Sequence, residues 1–148
     1  MENMEEDLLE TIADIRGFMP GSAFNLRKNG EGVERHSTEH VKISAKTDKP
    51  GIDIRIDANT VGESIHIPVI LTESGIKDVV YNDFYIGENC DVEIIAGCGI
   101  HNDGCDTSQH DGIHTFHIGK NAKIVYSEKH VGEGNGSGER ILNPTTVI

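Results

Sequence analysis

From residue 40 onward the chain alternates between apolar and polar positions. IDIRID (52–57) alternates strictly, and SIHIPVIL (64–71) does so until its end. VVYNDFYIG (79–87), CDVEIIAG (90–97), IHTFHIG (113–119) and AKIVYSEKH (122–130) continue the pattern, separated by short Gly, Asn and Asp corners. A period of two belongs to strands whose two faces meet different surroundings. No helical pattern lies between these segments. Hairpin pairs are scarce: Asn29-Gly30 precedes the strands, and Asp111-Gly112 adjoins a polar stretch.

One echo narrows the architecture. Ile86-Gly87-Glu88-Asn89 returns as Ile118-Gly119-Lys120-Asn121, each copy followed by a strand. A corner recurring between short strands predicts a solenoid in which every coil repeats one turn. Gly and Asn suit such corners because both tolerate left-handed backbone angles. The expected fold is therefore all-β: a parallel β-helix over residues 36–148. It follows an N-terminal region, 1–35, made of a short helix and an irregular arm. The helix is read in EEDLLETIADIR (5–16), with Leu8, Ile12 and Ile15 on one face and Gly17 as its cap; the Gly-rich GFMPGSAFNLRKNGEG follows as the arm. The end, Asn143-Pro144-Thr145-Thr146-Val147-Ile148, reads as a corner entering another strand, so the solenoid is expected to be truncated within a coil.

Composition supports the strand assignment. Ile and Val together number 29 against 5 Leu, and there is no Trp, so the core is aliphatic and β-branched. A length of 148 residues suffices for one domain with a real core. The net charge of −12 argues against nucleic acid or an anionic membrane as partner. No apolar run is long enough to span a bilayer, and the acidic N-terminus is no signal or transit peptide. The expected compartment is the cytoplasm, where thiols stay reduced. The three cysteines, spaced C-x7-C-x6-C, make neither a disulfide framework nor a structural zinc site.

Candidate chemistry concentrates in AGCGIHNDGCDTSQHDGIHTFH (96–117). Cys98, His101, Cys105 and His110 offer thiolate and imidazole ligands suited to iron, zinc or copper(I), with Asp103, Asp106 and Asp111 adding oxygens. Gly97, Gly99, Gly104 and Gly112 are read as tight turns around a site within a polar loop. A thiol in that setting is expected to have a lowered pKa. His114 and His117, an odd number apart on a strand, point to opposite faces. His110 and His114, four apart, are expected to converge only on a helix. Cys90 is a small core residue, since it occupies the echo position filled by Ala122. His36, His40 and His66 read as surface or strand-face residues. His130 ends a strand beside GEGNGSGE (132–139), read as a mobile loop. Phosphate-binding loops and the hydrolase and zinc-protease motifs G-x-S-x-G and H-E-x-x-H are missing.

The stretch GCGIHNDGCDTSQHDGIHTFHIGKNAKIVY resembles the SufB/SufD family, scaffold proteins of the Suf iron–sulfur cluster assembly system, above all its short forms from anaerobes and archaea. RKNGEGVERHSTEHVKI, DKPGIDIRI and HIPVILTESGIKDVVYNDFYIG resemble it too, so the similarity covers nearly everything after residue 20. The resemblance implies a right-handed parallel β-helix that pairs with a second SufB/SufD-type subunit and docks a SufC-like ABC ATPase. ATP would be used only by that partner. It implies a transient iron–sulfur cluster, sulfur received from a cysteine desulfurase or other donor at Cys98, and a ligand role for His110. Cys105 is an additional thiol in the same stretch, and family members are considerably longer. Two other functions compete: a metal-dependent enzyme on a β scaffold, and a purely structural interaction module.

Overall fold

The computed structural model describes Met4, Glu5, Asp7, Leu8 and residues 22–148. The strands, in chain order, are β1 (Ala23–Lys28), β2 (Glu31–His36), β3 (Val41–Ala45), β4 (Gly51–Ile56), β5 (Val61–Leu71), β6 (Lys77–Ile86), β7 (Asp91–His101), β8 (Ser108–Ile118), β9 (Lys123–Glu133) and β10 (Arg140–Val147). They form two five-stranded sheets, ordered β2-β1-β5-β7-β9 and β10-β8-β6-β4-β3. The chain switches sheet at every step from β4 onward. β5–β6, β7–β8 and β9–β10 are thus successive coils of a β-solenoid, stacked in parallel register with Val69, Cys98 and His130 side by side.

The corners carry the repeat. Asn59, Asn89 and Asn121 all take left-handed φ, at 66°, 59° and 58°. Their side chains stack, Asn89 Nδ2 donating to Asn59 Oδ1 at 3.3 Å and Asn121 Nδ2 to Asn89 Oδ1 at 3.5 Å. The echo at Asn89 and Asn121 therefore has a third member in Asp57-Ala58-Asn59-Thr60.

The first strands depart from expectation. Residues 23–36 form an antiparallel hairpin, not an irregular arm. Asn29 and Gly30, with φ of 49° and 85°, make the tight reversal that twisted strands favour. Ala23, Phe24 and Leu26 are buried, while β2 is exposed along most of its length and so lacks the alternation that marks a strand. β3 and β4 form a second hairpin on the other sheet. Of the helix expected over 5–16, only Glu5, Asp7 and Leu8 are described, and they are helical; the rest lies outside the described residues. Leu8 packs on Leu26 and Ile70, and Glu5 pairs with Lys28.

Between the sheets, Ile54, Ile56, Ile65, Phe84, Ile94 and their neighbours form one aliphatic cluster. Phe84 stacks on Phe116 with centroids 4.7 Å apart. Cys90 belongs to this cluster, as expected, its thiol on the Asp57 carbonyl oxygen at 3.0 Å.

Candidate functional site

The polar stretch 96–117 is mostly strand. β7 runs through Gly97-Cys98-Gly99 to His101, β8 begins at Ser108, and only residues 102–107 form a loop. Alternation continues across it, but the inward positions of β8 are themselves polar, which hides the strand from a hydrophobicity pattern. Gly99 is not a turn. A Cβ there would stand 2.6 Å from Leu8 Cδ1, so its bare backbone admits the Leu8 side chain.

The proposed ligands separate. Cys98 faces inward and is 2% exposed. His110 faces it from the opposite sheet and is 5% exposed. Cys105 is exposed in the loop. His101 closes β7 with its ring held between Glu133 Oε2 at 2.6 Å and Asp103 Oδ2 at 2.7 Å. Cys98 and His110 line one cavity, and His101 and Cys105 do not. The loop is held by Asn102, whose Nδ2 donates to the Asp106 carbonyl at 2.8 Å. Segment 132–139, expected to be mobile, is stacked on that loop. Gly138 N–H donates to the Gly104 carbonyl at 3.0 Å, and Arg140 Nη2 donates to the carbonyls of Asn102 and Gly134 at 2.8 Å each.

The cavity gathers donors from three strands. His110 and His114 both face inward from β8, because residues four apart on a strand share a face; the expectation that only a helix would unite them is corrected. Gly112 lies between them, and a Cβ there would be 3.2 Å from the Nε2 of each ring. Both nitrogens therefore overhang a gap that only glycine leaves open. Glu128 and His130 reach the same cavity from β9. Glu128 Oε1 lies 3.8 Å from His114 Nε2, and its Oε2 lies 3.2 Å from His130 Nε2. Tyr126 donates its hydroxyl to Glu128. Space is tight, about 10 Å³, room for roughly one water. His117 faces outward to Asp83 at 2.9 Å, as its odd spacing requires.

A buried ion network orients His110. Arg27 donates Nε–H and Nη2–H to the two oxygens of Asp78 at 2.9 and 2.7 Å. Asp78 Oδ2 stands 3.3 Å from His110 Nδ1. The carboxylate can only accept, so Nδ1–H donates to it and in the neutral ring Nε2 carries the lone pair over Gly112. Burial alone would raise the Asp78 pKa, but Arg27 and then His110 hold it down at about 2. The expected lowering at Cys98 is reversed: burial pushes its thiol well up, and the Asp78 charge adds to this. Burial also takes His114 down to about 4; Glu128 opposes this, and His110 and His130 reinforce it. His114 Nδ1 has no hydrogen-bond partner.

No protein-family model, curated protein or solved structure significantly matches the chain. Among the described residues, no three or more His, Cys, Asp or Glu side chains are set to hold a metal ion as they stand. The cavity instead offers a thiol kept protonated by burial, a neutral imidazole at His114, and a second imidazole, His110, whose Nδ1 faces the Asp78 carboxylate. Asp78, His114, Glu128 and His130 were not singled out as site residues in the sequence. For Glu128 and His130 the signal is positional: their rows hold Ile67 and Ala96, and Val69 and Cys98, in the preceding coils.

Proposed function

We propose that the chain is a scaffold subunit for iron–sulfur cluster assembly, of SufB/SufD type, receiving sulfur at Cys98 and holding iron between Cys98 and His110. The observation that carries this is one cavity where the buried Cys98, His110 and His114 meet the half-buried Glu128 and the exposed His130 of the edge strand β9. Burying such groups costs stability that aliphatic residues would not, so their presence favours a chemical role. Thiolate and imidazole are donors that iron accepts, and a carboxylate behind the imidazole is how proteins orient a metal-binding histidine.

In the sulfur step, the Cys98 sulfur attacks the outer sulfur of a donor persulfide. A new S–S bond forms on Cys98, the donor's S–S bond breaks, and the departing donor thiolate takes up the Cys98 proton and leaves as a thiol. Release of that sulfur as sulfide takes two electrons from an external reductant. The cluster is cargo, and ATP is hydrolysed by an ABC-type ATPase partner beside a second scaffold subunit. Cys90, Cys98 and Cys105 are all free thiols, which fits the reducing cytoplasm. No helix among the described residues is long and apolar enough to cross a membrane.

A persulfide-loaded cysteine desulfurase supplies the test. After anaerobic incubation and peptide mass spectrometry, Cys98 should carry one added sulfur atom, in the wild type and in Cys105→Ser. Sulfur found on Cys105 and never on Cys98 would remove the acceptor assignment.

A further inference from the structure

A second cavity, of about 210 Å³, lies where the β1–β2 hairpin faces the β3–β4 hairpin. Its apolar lining includes Ile52, Ile67 and Val69. The polar side chains around it are Asn25, Asn82, Arg27, Arg35, Lys46 and Lys49, and no Asp or Glu lines it. In a chain with net charge −12, this is a local inversion of sign.

Two of these cations are already neutralised. Arg27 is held by Asp78, and Lys46 lies 2.6 Å from Asp53 and 3.0 Å from Asp83. The other two have no carboxylate partner among the described residues. Arg35 spends only Nε–H, on Asn25 Oδ1 at 2.9 Å, which leaves its two terminal amino groups available. Lys49 Nζ sits 4.8 Å from the Tyr81 ring centroid. Asn25 uses its oxygen for Arg35, and Asn82 uses its oxygen for the Ile52 N–H at 3.2 Å. Each amide therefore keeps its NH2 as a donor. Gly32 leaves space beside the guanidinium, since a Cβ there would be 3.6 Å from Arg35 Nη2.

We propose that this cavity binds a small oxyanion, a phosphate or a carboxylate group. A guanidinium fork matches two oxygens of either group, and the Lys49 ammonium adds a second positive charge on the same cavity. The volume suits a single such group on a short carrier and is below that of drug-sized ligand pockets.

The test is a nuclear magnetic resonance titration of the full chain with inorganic phosphate and, separately, acetate. Chloride at matched ionic strength is the control. Saturable shifts are expected at the Asn25 and Asn82 side-chain amides and at the Gly51 and Ile52 backbone amides. Saturation by phosphate alone identifies a phosphate ligand, and saturation by acetate identifies a carboxylate. Arg35→Gln should weaken binding about tenfold, the loss of one charge-assisted hydrogen bond. Lys49→Gln, in an exposed turn away from the hairpin pairing, should weaken it severalfold and decides the matter if Arg35→Gln fails to fold. Shifts that match chloride without saturating, or affinity unchanged in the folded variants, would overturn the proposal.

Discussion

The two ends of the solenoid interior are built by the same strands, one filled mainly by apolar side chains and the other mixing apolar with polar ones. Toward one end, Ile54, Ile56, Ile65, Phe84, Ile94 and Phe116 stack coil upon coil. A few residues along, β6 offers Asp78, β7 Cys98, β8 His110 and His114, and β9 Glu128 and His130. The backbone registers do not change between the two ends. The first end obeys what a solenoid needs for stability, where each apolar side chain leaves water against its neighbours above and below. At the second end polar groups stand beside Val69, Leu71 and Ile100, and they are paired: the buried Asp78 with Arg27 and His110, and the half-buried Glu128 with Tyr126 and His130. Stability and chemistry are thus divided along the strands rather than between coils.

Truncation in the aliphatic half should have the largest effect. Phe84 is 0% exposed, and Phe84→Ala is expected to cost about 3–5 kcal/mol, read as a lowered urea midpoint with unchanged slope. A loss below about 1 kcal/mol would mean that this half is not the stabilising one.

The polar half should respond to pH instead. His114 has a folded pKa of about 4, below the unfolded value near 6.5. Between those values the unfolded chain binds a proton that the folded chain refuses, so stability falls as pH drops from about 6.5 toward 4. The loss is on the order of 2–3 kcal/mol. His114→Leu should abolish that share while leaving stability at pH 7 equal or higher. Denaturation curves of wild type and variant that run parallel between pH 7 and pH 4 would erase the contrast between the halves.

The fold was legible where the two faces of a strand differ in polarity. IDIRID, VVYNDFYIG and the Asn corners announced strands and a repeat. Legibility failed in three places, each for a physical reason. β2 is solvated on both faces, so Asn29-Gly30 stood without flanking alternation. The inward row of β8 opens with Ser108, His110 and Gly112 rather than aliphatic residues, so the start of a buried strand read as a loop. Gly99, next to Cys98, takes its meaning from Leu8, about ninety residues earlier in the chain, a contact no local pattern contains. Of the site, Cys98 and His110 were visible by residue type. Asp78, Glu128 and His130 became visible only when the coils were stacked.

Anaerobic titration of the chain with ferrous iron and sulfide, followed by the sulfur-to-iron charge-transfer absorbance, tests the central claim most directly. Wild type and Cys105→Ser should colour alike, while Cys98→Ser and His110→Gln should lose most of the band. A colourless wild type, or a band indifferent to Cys98→Ser, would contradict the assignment of this interior cavity to cluster assembly.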